Sequence, residues 1–240
     1  MKRSTINTIL RDAEGYFREQ NFQLPPFAYW TPEDWRHKGP EVSEIVNKGL
    51  GWDITDYGLG DFKRYGLLLF TIRNGSLKAW QQGKDRPYAE KIMIAEAGQQ
   101  HQMHFHWKKV EDIINRAGGR LAIQLHNSTP DNELADTDVT VLVDGVLRTL
   151  KAGDVVVLRP GESITLPTRL YHKFWAEGSR VMMGEVSTVN DDYHDNQFYK
   201  PIGTGRFSEI EADEPPLYLL FNDYHKYWNA ELSPSADLTA

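Results

Sequence analysis

In residues 98–118, GQQHQMHFHWKKVEDIINRAG, His104 and His106 stand two positions apart and Glu111 follows five positions later. Side chains at i and i+2 of a strand point to the same face, so the two imidazoles can converge on one ion. Glu111, after a turn, can close back as a third ligand, and a fourth has to come from elsewhere in the sheet. His101 has the opposite strand parity to the pair, which places it outside the ligand set. His126, His194 and His225 have no partner at ligand spacing.

The sequence around this segment reads as many short strands with helices before them. Residues 3–20 carry Ile6, Ile9, Leu10, Ala13 and Phe17 at helical spacing, with Ser4 or Thr5 as a cap. Thr31-Pro32-Glu33-Asp34 starts a second helix, and a short one is expected over 41–48, stopped by Gly49. From Phe62 the period becomes that of strands. Leu67–Ile72 is a continuous apolar run, and Asn74-Gly75 predicts a hairpin into a strand over 76–80. Further strands are expected over 90–96, 101–107, 120–126, 138–143, 146–150, 154–158, 171–175 and 181–187, with Asp144-Gly145 as a second hairpin turn. The tail over 190–228 is rich in aromatics and is expected to pack on the sheet, with a frayed end after it.

Composition narrows the chemistry. The 240 residues suffice for one large domain, and 40% hydrophobic with 25% charged residues is ordinary for a globular chain. A net charge of −7 without long Lys/Arg runs argues against a nucleic-acid partner. No segment approaches the roughly 18 apolar residues of a membrane span, and the N-terminus lacks a secretory apolar core. With no cysteine, disulfides, thiolate catalysis and thiolate metal sites are excluded, so a cytoplasmic protein using histidine for metal is the expectation.

Residues 98–118 resemble the first motif of the cupin family: Gly98, His104, His106, Glu111 and Gly118 all stand at its spacing. Its second motif is matched by Gly161, Pro167 and His172. Arg169 replaces a glycine and Ala176 an asparagine, departures that leave the ligand position intact. The resemblance implies an all-β, cupin-type double-stranded β-helix (jelly-roll) barrel at 61–190. N-terminal helices at 1–60 and an aromatic-rich extension at 191–240 would complete one domain. It also implies a single divalent metal on His104, His106, Glu111 and His172. Nitrogen and oxygen donors without thiolate suit Mn²⁺, Fe²⁺, Co²⁺, Ni²⁺ or Zn²⁺, and the sequence alone does not choose among them.

The fold does not fix the reaction. The segments HFHWKKVEDIINRAGGRLAIQL, LPTRLYHKFWAEG and GEVSTVNDDYHDNQF are similar to those of the D-lyxose isomerases, and the similarity extends over most of the chain. It implies a Mn²⁺-dependent enzyme interconverting D-lyxose and D-xylulose, with mannose–fructose exchange as a side activity, a small-molecule sugar substrate and a homodimer. A cupin oxygenase using Fe²⁺ and a non-catalytic sugar-binding cupin are the competing readings.

Aldose–ketose exchange needs a base for the carbon proton. Glu185 is the candidate: if Glu177-Gly178 is a two-residue turn, Met183 falls opposite His172 and Leu170 opposite Glu185, so all three face inward. A one-residue slip would turn Glu185 to solvent. Lys91 could reach inward to a sugar oxygen or sit at a strand edge. Lys109, between His106 and Glu111, is the other cation placed for catalysis unless it is simply solvated. Asp191 and Asp192 could bind sugar hydroxyls or cap a turn, and Arg206 is a candidate for a lid over the substrate.

Overall fold

The computed structural model describes residues 1–200 and 206–231. The end of the tail expected to fray lies outside the described residues.

The chain opens with α1 (Arg3–Glu19), a 3₁₀ turn (Pro26–Tyr29), α2 (Pro32–Arg36) and α3 (Ser43–Asn47). α1 has no side-chain cap, contrary to the expectation from Ser4 or Thr5. Ser4 instead gives its N–H and hydroxyl to Asp213, tying the helix to the tail. α2 starts with a full capping box between Thr31 and Asp34. β1 (Gly51–Thr55) follows, a strand within the segment read as helical. Then come α4 (Phe62–Tyr65), β2 (Leu67–Arg73), α5 (Leu77–Gln81) and β3 (Tyr88–Ala95). The strand expected over 76–80 is therefore a helix. Ser76 accepts the N–H of Ala79 as its cap, so Asn74-Gly75 ends β2 without turning a hairpin.

β4 (His104–His106) leads into β5 (Glu111–Asn127), β6 (Val139–Val143), β7 (Val146–Leu150), β8 (Val155–Leu158), β9 (Ser163–Leu166), β10 (Leu170–Thr188) and β11 (Asn196–Phe198), with α6 (Tyr224–Tyr227) in the tail. All ladders between named strands are antiparallel, in the order β1-β2-β3-β10-β5-β9-β6-β7, with β4, β8 and β11 attached at the side. This is the expected cupin architecture. Asp144 and Gly145 both have positive φ, +50° and +78°, as the tight hairpin between β6 and β7 requires.

The inner core gathers Met93, Ile113, Leu121, Ile123, Val141, Phe174 and Met183. A second core lies on the other face of β1–β3, where Ile6, Leu10 and Phe17 of α1 pack on Trp52, Phe70, Ile92 and Met182. Burial on both faces is why Leu67–Ile72 reads as an apolar run interrupted by one residue, Thr71, itself buried. Tyr224 of the tail stacks on Trp35 with centroids 4.2 Å apart. Arg3 pairs with Asp223 at 2.9 Å in the interior.

β10 corrects the reading of residues 170–188. Glu177-Gly178 is no hairpin turn: one 19-residue strand runs through it, paired to β5 from Leu170↔Asn127 to Ser187↔Glu111. His172 and Glu185 are an odd number of residues apart, so an unbroken pleat would put them on opposite faces. The register shifts between Glu177 and Val181, where Gly178 has a φ of +82°. His172, Phe174 and Ala176 face inward before this bulge, and Val181, Met183 and Glu185 face inward after it.

Gly118 serves the same junction from β5. Its φ is +92°, and a Cβ there would lie 2.1 Å from the carbonyl oxygen of Arg180 and 2.5 Å from the Tyr16 hydroxyl. Gly118→Ala is expected to destabilise the protein by about 3 kcal/mol, combining left-handed strain with a backbone clash. Equilibrium urea unfolding measures it; a loss under about 1 kcal/mol would mean that the bulge relaxes freely.

Candidate active site

Register carries the site. His104 on β4 is the direct partner of His172 on β10, and Glu185 on β10 is the direct partner of Lys91 on β3. Glu111 shares the inward parity of Ile113, which pairs with Glu185. Four strands, β3, β4, β5 and β10, thus deliver two imidazoles, two carboxylates and an ammonium to one cavity. His106 joins from β4, and Lys109 comes from the β4–β5 connection. This connection is pinned by Asp195, which accepts the N–H groups of Lys108 (2.8 Å) and Lys109 (3.0 Å).

His104, His106 and His172 can each bring one ring nitrogen within 4.8 Å of the others. The Nδ1 atoms of His104 and His172 lie 2.7 and 3.0 Å from the carbonyl oxygens of Gln102 and Leu170. Each therefore carries its proton on Nδ1 and leaves the Nε2 lone pair for the cavity, the orientation a ligating histidine takes. Nε2 of His172 is buried without a hydrogen-bond partner of acceptable geometry. Burial, then the neighbouring imidazoles, holds His104 well below its ordinary pKa; burial and then Lys109 lower His106. Neutral imidazoles are the state a cation needs.

Glu111 Oε1 lies 3.1 Å from His172 Nε2 and 3.5 Å from His106 Nε2. Donors sharing an ion at about 2.0–2.2 Å stand about 3 Å apart, so this carboxylate fits the same centre. Burial alone would raise its pKa, but Lys109 and then His106 hold it well below the carboxylate range. Among the described residues lining the cavity, Lys91, Lys109 and Arg206 match Glu111, Glu185 and Asp192 in number, with Asp53 behind Arg206 and Asp195 3.9 Å from His106.

Glu185 is buried, and its contacts are one-sided. Oε1 accepts from Lys109 Nζ at 2.7 Å and from Ser187 Oγ at 3.1 Å, with Lys91 Nζ at 3.7 Å. Oε2 has no hydrogen-bond partner among the described residues. Lys109 bridges Glu185 and Glu111 at 2.7 Å to each, and these two carboxylates raise its pKa against the effect of burial. Lys91 Nζ donates to Asn190 Oδ1 (2.7 Å) and Asp192 Oδ1 (3.3 Å). Asp192 is held well below its ordinary pKa by Lys91 and then Arg206, although burial opposes this.

The structure thus gathers His104, His106, Glu111, His172, Glu185, Lys91, Lys109, Asp192 and Arg206. Arg206, its side chain 10% exposed, is paired with Asp53 on β1. Asp191 stays outside: its half-exposed carboxylate accepts the N–H groups of Tyr193 and His194, the capped-turn alternative. It is not placed to touch a substrate in the cavity. Sequence reasoning missed Asp53, because β1 was read as part of a helical segment. It also missed Asp195, whose role depends on a backbone contact with no sequence signature.

The chain matches the family model "D-lyxose isomerase" over residues 1–224. It belongs to the D-lyxose isomerase family. The D-lyxose/D-mannose isomerase of Escherichia coli O157:H7 is 46% identical over 230 residues, 95% of this chain and 100% of that protein. The protein of the same name from Serratia proteamaculans is also 46% identical, over 95% and 99%. Among solved structures, Cellulomonas parahominis L-ribose isomerase with L-ribose aligns with a TM-score of 0.57 at 17% identity, covering 88% of this chain and 98% of that one. Acinetobacter sp. DL28 L-ribose isomerase with L-ribose gives 0.57 at 16%, over 88% and 98%. These two show a shared fold. This member of the family is a sugar isomerase, and its cavity holds a histidine triad able to bind a metal.

Asp195 yields a prediction specific to this geometry. Its Oδ2 lies 3.9 Å from His106 Nδ1 while both oxygens hold the Lys108–Lys109 backbone. Asp195→Asn is expected to weaken metal binding by about 10- to 100-fold, the range for a residue that orients a ligand. Titration with a competing chelator measures it, and unchanged affinity would remove Asp195 from the support of the centre.

Proposed function

We propose that this isomerase interconverts D-lyxose and D-xylulose, and D-mannose and D-fructose, through an enediolate whose carbon proton is moved by Glu185. The observation that carries the reading is the one-sided Glu185: Oε1 is fixed by Lys109 and Ser187, while Oε2 has no hydrogen-bond partner among the described residues. A carboxylate held in this way can take a proton from C2 of an aldose and return it to C1. Lys109 and Lys91, both buried, offer ammonium protons to the sugar's O1 and O2 as charge develops there. His104, His106, Glu111 and His172 would hold the ion. When bound, a divalent cation supplies the electrophile that polarises the carbonyl and offsets oxyanion charge.

Mn²⁺ is the metal that the resemblance to the D-lyxose isomerases implies; the all-nitrogen-and-oxygen donor set suits Fe²⁺, Co²⁺, Ni²⁺ and Zn²⁺ as well, and reconstitution with each in turn decides. A cytoplasmic homodimer belongs to the same reading. Edge strand β7 exposes Val146 and Leu147, at 60% and 67%, where a second copy could cover them. Light scattering on the purified protein tests the subunit number.

The functional test is anaerobic incubation with D-lyxose and with D-mannose, in Mn²⁺ and after chelation. Ketose formation without oxygen, abolished by chelation and restored by Mn²⁺, is expected. A requirement for O₂ would favour an oxygenase, and binding without interconversion a sugar-binding protein. Proton NMR in D₂O should show deuterium entering at the reacting carbon; complete retention of the hydrogen would argue against an exchanging base.

A further inference from the structure

Buried polar side-chain atoms are normally hydrogen-bonded, and leaving one unpaired costs about 1–3 kcal/mol. Among the described residues, His106 Nδ1 and His172 Nε2 are orphans belonging to the candidate metal centre. Of the remaining orphans, only His101 Nε2 and Arg206 Nη1 belong to residues that line the cavity. Both residues are firmly held. The His101 ring stacks on Phe174 at 3.9 Å and 25°, and its backbone N–H donates to the Phe174 carbonyl at 2.9 Å. Arg206 is anchored through Nη2 to Asp53, which leaves Nη1 over.

The two groups are complementary. A guanidinium only donates, whereas a neutral imidazole has one nitrogen that accepts. Burial, then Arg206, lowers the His101 pKa to about 3, so the ring keeps its lone pair. A sugar hydroxyl is both donor and acceptor: its oxygen can accept from Arg206 while its proton goes to His101. We propose that His101 and Arg206 form a subsite that grips one sugar hydroxyl beyond the reacting C1–C2 pair. Neither residue contacts Glu185, Lys109 or the four candidate ligands through a hydrogen bond, so the subsite serves binding and not proton transfer. It rests on the isomerase reading and adds to it the residues that hold the unreactive part of the substrate.

The test uses the Mn²⁺-loaded full chain and D-arabinitol, the reduced form of D-lyxose, which lacks a carbonyl and can be bound but not turned over. In calorimetry, His101→Phe is expected to raise the D-arabinitol Kd up to about tenfold, the effect of one lost hydrogen bond between neutral groups. The KM for D-lyxose should rise similarly, with kcat and metal content little changed. His101→Gln, which keeps an acceptor, should recover most of the affinity. Arg206→Gln combined with His101→Phe should lose less than the product of the single effects, since both remove the same hydroxyl contact. Unchanged D-arabinitol affinity in His101→Phe, full multiplicativity in the double variant, or metal loss in His101→Phe would each overturn the subsite while the isomerase reading stands. A wild-type protein that neither binds D-arabinitol nor converts D-lyxose would remove both.

Discussion

Glu185→Gln is expected to lower kcat for D-lyxose by about 10³-fold or more, within the range a positioned acid–base group contributes, with the metal retained. Glutamine preserves the volume and keeps an oxygen for Lys109 and Ser187, which hold Oε1 at 2.7 and 3.1 Å. The folded structure should therefore persist. What disappears is, among the described residues, the one buried cavity carboxylate that combines an oxygen without a hydrogen-bond partner with a position outside the imidazole cluster. Uptake of deuterium from D₂O should fall in parallel with turnover. Near-normal turnover in a metal-loaded variant would take Glu185 out of the base role. Asp192 is the remaining carboxylate among the described residues that line the cavity outside the imidazole cluster, yet its oxygens already accept from Lys91 and Asn190.

Lys109→Met carries the largest expected stability effect. One ammonium stands 2.7 Å from Glu111 and 2.7 Å from Glu185, and all three side chains are at least nine-tenths buried. Removing one partner of a buried ion pair costs about 3–5 kcal/mol because the remaining charge is uncompensated. Here two carboxylates would be left facing each other. In the metal-free protein they should share a proton, and unfolding in urea should shift by that amount. Added Mn²⁺ should recover part of the loss by taking over the Glu111 side, which a ligand binding only the folded state does by mass action. Turnover should not recover with it, since Ser187 alone would hold Oε1 of Glu185 and the ammonium facing the substrate would be gone. A metal-free variant as stable as the wild type would show that Lys109 is dispensable to the charge balance.

The ligand strand was legible because metal chemistry leaves little freedom: His104 and His106 had to share a face, and their spacing says so. His172 was legible through the spacing to Gly161 and Pro167. Glu185 was reached by a wrong route. The inward orientation holds, but it comes from a bulge near Gly178 that flips the pleat midway along a 19-residue strand. A hairpin and a bulged strand leave nearly the same local sequence, and only pairing with β5 separates them. Ser76–Trp80 failed for a similar reason, since a serine cap and a hairpin flank look alike in five residues. The Asp53–Arg206 pair and the Asp195 contact join segments more than 80 residues apart, through geometry that no local pattern encodes.

Pulsed electron paramagnetic resonance of the protein reloaded with Mn²⁺ reads the centre itself. Nitrogen couplings from three directly bound imidazoles are expected, falling to two in His172→Ala. Absent nitrogen coupling, or a spectrum that the loss of His172 leaves unaltered, would contradict the assignment of His104, His106 and His172 to one ion.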